Sequence, residues 1–210
     1  MQRIFLHGLG QRAADWAEVT GALTRQEGVF CPDLFPLIAG KEAVYDSLYQ
    51  AASACLDGAE EPLDLCGLSL GAVLALHYAL DHPDRVRALA LVCGQYRMPK
   101  KLLRLQSWLF RLMGEKSFQP MGLTKRDAIA LTRSMETLDF SQCLSQLEMP
   151  VLVVCGEADR ANRGASEELV QRIPRAVLRL VPGAGHEVNR DAPEALATLP
   201  RLGREDIGHS

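Results

Sequence analysis

Residues 63–80 read LDLCGLSLGAVLALHYAL, and this stretch decides the fold. A short β-rich run, LDLC, enters Gly67-Leu68-Ser69-Leu70-Gly71, and an apolar helical stretch follows with no polar linker between them. A strand that turns at once into a helix holds the residue at the bend in a strained conformation. Side chains two positions to either side would collide there, and the bend lifts its own side chain clear of the sheet. Gly67 and Gly71 relieve that crowding, and Ser69 is the residue lifted. G-x-S-x-G alone is only moderately specific, but the strand before it and the helix after it give it structural meaning.

Similar apolar runs lie on either side: RIFL (3–6), GVFC (28–31), RALALVC (87–93), VLVVC (151–155) and AVLRLV (176–181). Several are apolar at nearly every position, as strands covered on both faces require. Helical spacing over 13–25, 41–56, 70–80, 165–173 and 192–199 supplies the covering layers. The pattern predicts the α/β class: a mainly parallel sheet of about six strands with helices on both faces. One connection is too long for a simple crossover, so 94–149 is expected to be a helical cap inserted into a single domain covering 1–210. Within it, KKLLRLQSWLFRLMG (100–114) spaces Leu102, Leu105, Leu109, Leu112 and Met113 as a helix does. Thr124 opens a second helix with Asp127 at the capping-box position.

Composition bounds the function. With 210 residues, 48% hydrophobic and 23% charged, the chain can bury a core without disulfides or metal. A net charge of −3 offers no footprint for nucleic-acid phosphates. No apolar run approaches the roughly 20 residues of a membrane span, and the opening MQRIFLHGLG has no signal-peptide pattern, so a cytoplasmic protein is expected. The six cysteines show no C-x-x-C pair and no zinc-finger spacing, and Cys66, Cys93 and Cys155 end apolar runs. They read as reduced structural thiols, and neither metal nor cofactor is expected.

A serine hydroxyl is a poor nucleophile without a base, and five histidines are available. His77 and His82 fall on or just past the helix after Ser69, on its surface, and His209 is in the tail. His7 closes the first strand, where a histidine that bonds the loop fits better than a catalytic one. His186 lies in the Gly-rich stretch VPGAGHEV after the last strand, where it can hang over the carboxyl ends of the sheet. An imidazole used as a base needs a carboxylate behind it. Asp159, in GEADR after VLVVC, is the candidate, with Glu157 of the same loop its rival.

In HGLG, GLSLG, GEADR and GAGH, each following a strand, the chain resembles the α/β-hydrolase superfamily over nearly its whole length. The resemblance implies an enzyme with Ser69, Asp159 and His186 as catalytic residues and an oxyanion hole from the backbone N–H groups of Leu9 and Leu70. It also implies that Trp16 packs the first helix against the sheet. The superfamily usually carries two further strands ahead of the H-G loop. GVFC is then left at the sheet edge, where a very short strand or pairing in a homodimer would protect it. A second glycine common after the elbow is Ala72 here.

These readings converge on a serine hydrolase acting on a carboxylic ester or thioester of a small-molecule acyl substrate. The same residues also suit cofactor-free carbon–carbon cleavage or elimination, or a non-catalytic ligand-binding member of the fold. Serine at the elbow, rather than Asp or Cys, argues against dehalogenase, epoxide hydrolase and dienelactone chemistry. The cap segment 94–148 holds nine basic and five acidic residues, a charge of +4 against −7 for the remainder. That asymmetry can steer an anionic substrate or meet anionic lipid. The plainer expectation is that Leu102, Leu105, Leu109 and Met113 cover an apolar pocket while the basic residues ride on the solvated face.

Overall fold

A computed structural model describes residues 2–24, 26–59 and 62–198. Arg25 and Leu199, the expected ends of two helices, and His209 lie outside these. Six strands, β1 (Arg3–Leu6), β2 (Val29–Phe30), β3 (Leu63–Leu68), β4 (Val86–Val92), β5 (Val151–Gly156) and β6 (Ala176–Val181), form one sheet in the order β2-β1-β3-β4-β5-β6. Every pairing is parallel. The helices are α1 (Ala17–Gly21), α2 (Tyr45–Asp57), α3 (Leu70–Asp81), α4 (Lys100–Leu112), α5 (Lys125–Ser134), α6 (Arg160–Arg172), α7 (Val188–Asp191) and α8 (Pro193–Thr198).

Two apolar layers follow from strands that are apolar on both faces. Ile4, Leu6, Leu65, Leu89, Leu91, Val151 and Val153 pack with α2, α3 and α6 on one side. Phe5, Leu152, Val154 and Val181 pack with α1, α7 and α8 on the other. Trp16 is fully buried in the second layer, 5.1 Å from the Phe5 ring, the structural place expected for it. Helix α3 has nine buried residues, apolar on all sides as a central helix must be. The chain leaves β1 for β2 on one side and returns to β3 on the other. The crevice beyond the carboxyl ends of β1 and β3 is therefore the topological switch point, where open parallel sheets bind ligands.

Element ends depart from the sequence pattern for local reasons. The run 13–25 becomes a 3₁₀ turn, Ala13–Trp16, followed by the short α1. Helix α2 starts at Tyr45 rather than 41, because Gly40 turns with φ 78° and Val44 is extended. Helix α6 begins five residues earlier than its apolar spacing indicates, because the Asp159 side chain caps it by accepting from the Asn162 N–H. The edge strand β2 is only two residues long, bounded by Gly28 at φ 71° and by Pro32. Between β4 and β5 run α4, α5 and short 3₁₀ turns, with the Thr124–Asp127 capping box formed at the start of α5.

At three glycines two backbone segments approach so closely that no Cβ fits. A Cβ on Gly67 would lie 2.1 Å from the Gly71 carbonyl oxygen, one on Gly71 2.1 Å from that of Leu6, and one on Gly156 2.0 Å from that of Gly185. Gly164, exposed inside α6, meets nothing within 4 Å. Gly156→Ala is therefore expected to destabilise by about 2 kcal/mol or more through forced backbone movement. Gly164→Ala should stabilise by about 0.5–1 kcal/mol through helix propensity. Urea unfolding of the two variants checks both signs.

Candidate active site

The site is assembled at the carboxyl ends of β1, β3, β5 and β6. Ser69 is the residue between β3 and α3, with φ 54° and ψ −113°, a strained backbone for a non-glycine residue. It is held by its N–H donating to the Val92 carbonyl at 2.9 Å and by the close passage of Gly67 and Gly71. The loop after β1 runs beside it: a Cβ on Gly8 would meet the Leu68 side chain at 3.0 Å and the Ser69 Cβ at 3.4 Å. Leu70 begins α3, so its N–H has no intrahelical partner. Among the described residues neither the Leu9 nor the Leu70 N–H finds an acceptor.

His186 and Asp159 meet across two loops. The glycine contact between Gly156 and Gly185 draws the β5 and β6 exits together, and His186 Nδ1 then lies 2.8 Å from Asp159 Oδ2. Asp159 is 6% exposed, and its carboxylate also accepts from the Asn162 N–H at 3.2 Å and from the Asn162 side-chain amide at 2.8 Å. Burial pushes its pKa up, but the hydrogen bonds from His186 and Asn162 and the charge of His186 outweigh it and hold the carboxyl at about 2. It stays ionised through the neutral range. Asn162 is held in turn by Gln95 at 2.7 Å and lies 3.1 Å from His186 Nδ1.

Ser69, His186, Asp159, Leu9 and Leu70 all line one cavity of about 400 Å³. Its other walls are mostly apolar, from α3 (Val73), the segment after β4 (Met98, Pro99) and α4 (Leu102, Leu103, Leu105, Leu109), with Met135. No Lys or Arg lines it. Cys93, another wall residue, brings its thiol together with that of Cys155 and the Asp159 carboxylate, their ligating atoms within 4.8 Å. Such a trio has the donors for a soft cation. Here the carboxylate is already engaged by His186 and Asn162, and burial pushes both thiols' pKa up, which keeps them protonated. All six cysteines are free.

A family model described as the alpha/beta hydrolase family matches residues 4–199. The chain belongs to the alpha/beta hydrolase family. Among curated proteins it is 25% identical, over 234 residues of alignment, to a pimeloyl-[acyl-carrier protein] methyl ester esterase of Nitrosomonas europaea, covering 91% of this chain and 90% of that one. It is also 30% identical over 228 residues to polyketide synthase ThaQ of Burkholderia thailandensis, where 88% of this chain spans only 11% of the relative. Among solved structures, MenH from S. aureus superposes with a TM-score of 0.80 at 15% identity, covering 94% of this chain and 91% of that one, a likeness of fold. Membership establishes the coarse activity, that of an alpha/beta hydrolase.

The other candidates of this hydrolase separate cleanly. Glu157 is exposed and accepts from the Gly183 N–H at 3.4 Å, whereas His186 bonds Asp159. His77 is half-buried rather than on the surface, stacked 3.7 Å from the Tyr49 ring and 4.9 Å from Phe140, outside the cavity. His7 is buried: its Nε2 accepts from the Leu34 N–H at 3.0 Å, so Nδ1 donates to the Gly8 carbonyl at 2.9 Å. It is the structural histidine of the β1 loop. Asn162 was not legible as a site residue. Its one signal is its position three residues after Asp159, where a capped helix presents its N–H.

Gln11 and Asn189, also unmarked by any motif, join the loops that carry Leu9 and His186. Both are 1% exposed. Gln11 Nε2 donates to Asn189 Oδ1 at 3.0 Å and to Glu187 at 3.1 Å, and Asn189 Nδ2 returns a bond to Gln11 Oε1 at 3.2 Å. Arg190 extends the bridge by pairing with Asp15 at 2.7 Å and Glu187 at 2.9 Å. Removing either amide strands the other, so Gln11→Ala and Asn189→Ala are each expected to cost about 1–3 kcal/mol. The double variant should cost clearly less than their sum, and a double-mutant cycle by denaturant unfolding checks it.

His7 gives a pH dependence. Burial holds its pKa below the ordinary value of 6.5, against the upward pull of the Gly8 carbonyl and of Asp33 and Asp15. Between that lowered value and 6.5 the unfolded chain binds more protons. The His7 contribution is thus complete above about pH 6.5 and lost as pH falls toward the folded-state value. In His7→Gln, which keeps an acceptor for Leu34 but cannot titrate, the slope of unfolding free energy over this window should be shallower than in the wild type.

Proposed function

We propose that this chain is a serine hydrolase that cleaves a carboxylic ester or thioester through an acyl-enzyme intermediate, with Ser69, His186 and Asp159 as catalytic triad. The observation that carries the reading is the 2.8 Å bond between His186 Nδ1 and the buried, ionised Asp159, beside a cavity that Ser69 also lines. The carboxylate keeps the ring proton on Nδ1 and leaves Nε2 basic. Nε2 takes the Ser69 proton as Oγ attacks the acyl carbonyl, then gives it to the departing alcohol or thiol. Water, deprotonated by the same nitrogen, attacks the acyl-enzyme, frees the acid and returns the proton to Ser69. The Leu9 and Leu70 N–H groups, which have no other acceptor among the described residues, receive the oxyanion.

In this reading the chemistry uses protein groups alone, with no cofactor, in a single cytoplasmic domain that the 94–149 insertion caps. A cavity of about 400 Å³ with mostly apolar walls and no Lys or Arg suits an uncharged acyl group, which favours the apolar pocket over steering of an anionic substrate. The esterase relative, which by its name acts on a methyl ester, supports ester cleavage over carbon–carbon cleavage.

Ser69→Ala is expected to abolish both turnover of uncharged acyl esters and labelling by a fluorophosphonate probe. Asp159→Asn should lower kcat by about 10³–10⁴-fold while the fold persists, because the ring loses its correct tautomer. Labelling of Ser69 without turnover of any ester or thioester would reject hydrolysis in favour of carbon–carbon cleavage or ligand binding.

A further inference from the structure

Helix α4 does not sit as a simple lid. Its core-facing side chains are Leu103, Ser107 and Phe110. The apolar stripe expected to cover the pocket does so in part, since Leu102, Leu105 and Leu109 line the cavity and Met113 does not, and the whole stripe is open to solvent: Leu102 is 44% exposed, Leu105 52%, Trp108 53%, Leu109 46% and Leu112 66%, with Met113 at the C-cap 39%. These are six of the nine large apolar side chains that the described residues expose, gathered on one element. Leu102, Leu105 and Leu109 form the rim of the cavity, while Trp108, Leu112 and Met113 carry the stripe away from it. The same helix holds Lys100, Lys101, Arg104 and Arg111 and no acidic residue.

We propose that the outer face of α4 docks on an anionic lipid surface, with the helix lying in the interface plane and the cavity mouth opening onto the bilayer. An amphipathic helix with Leu and Trp on one face and Lys and Arg beside it is the form that lies at such a surface, where the apolar face enters the headgroup–acyl boundary and the cations meet lipid phosphates. Charge selects this occupant over the others. A second copy of the chain would bring four cations against four, and the occupant has to meet the four cations and the apolar stripe together. The lipid surface satisfies both. No helix among the described residues is long and apolar enough to cross a membrane.

Trp108 reports the test, because the only other tryptophan, Trp16, is fully buried. The Ser69→Ala protein is titrated with phosphatidylcholine vesicles with and without phosphatidylglycerol, so that binding is read without catalysis and stands apart from the hydrolase reading. Emission is expected to shift to the blue, with binding at least about tenfold tighter on the anionic vesicles and weakened by salt. Leu112→Glu, outside the cavity, should abolish the shift and co-sedimentation while leaving the circular dichroism spectrum unchanged. Emission unmoved by anionic vesicles would overturn the proposal. So would an equal response to soluble polyglutamate, or a Leu112-dependent dimer in place of vesicle binding.

Discussion

Three backbone contacts without room for a Cβ hold the upper edge of this sheet together. Gly67 against Gly71 bends the chain at Ser69, Gly71 against Leu6 seats the start of α3 on β1, and Gly156 against Gly185 joins the exits of β5 and β6. Close packing makes such contacts unforgiving, since a single methyl group cannot be absorbed by rotating a side chain when both partners are backbone. From these contacts follow the strained φ of Ser69 and the 2.8 Å approach of His186 to Asp159.

Electrostatics complete what packing positions. A buried carboxylate is costly unless its lone pairs are filled, and Asp159 has three donors: the His186 ring and two N–H groups of Asn162. The same residue thereby caps α6 and orients the imidazole, so helix stability and ring tautomer depend on one side chain. Three residues after His186, Asn189 pairs with Gln11, and this amide pair ties the His186 segment to the loop that carries Leu9. The two loops come from opposite ends of the chain, and a buried reciprocal amide pair holds them in register through bonds that water cannot replace.

Much of this was written in local pattern. Strands apolar on both faces, the direct passage from LDLC to a helix, and glycines at strand exits specify a doubly covered parallel sheet and place Ser69, Asp159 and His186 at one edge of it. Such features act over a few residues, through sterics and burial, and a sequence displays them directly. Long-range contacts and element ends are another matter. The choice of Asp159 over Glu157 depended on which of two loop acids faces a ring 27 residues away. Asn162, Gln11 and Asn189 gained their roles from neighbours brought together only by folding. The rotation of α4 is the clearest case. Its spacing marked one apolar stripe, of which Leu102, Leu105 and Leu109 do line the cavity, but the side chains that pack into the core are Leu103 and Phe110 on another arc. Helical period tells which residues share a face, and only the surface that the helix packs against decides which face is buried.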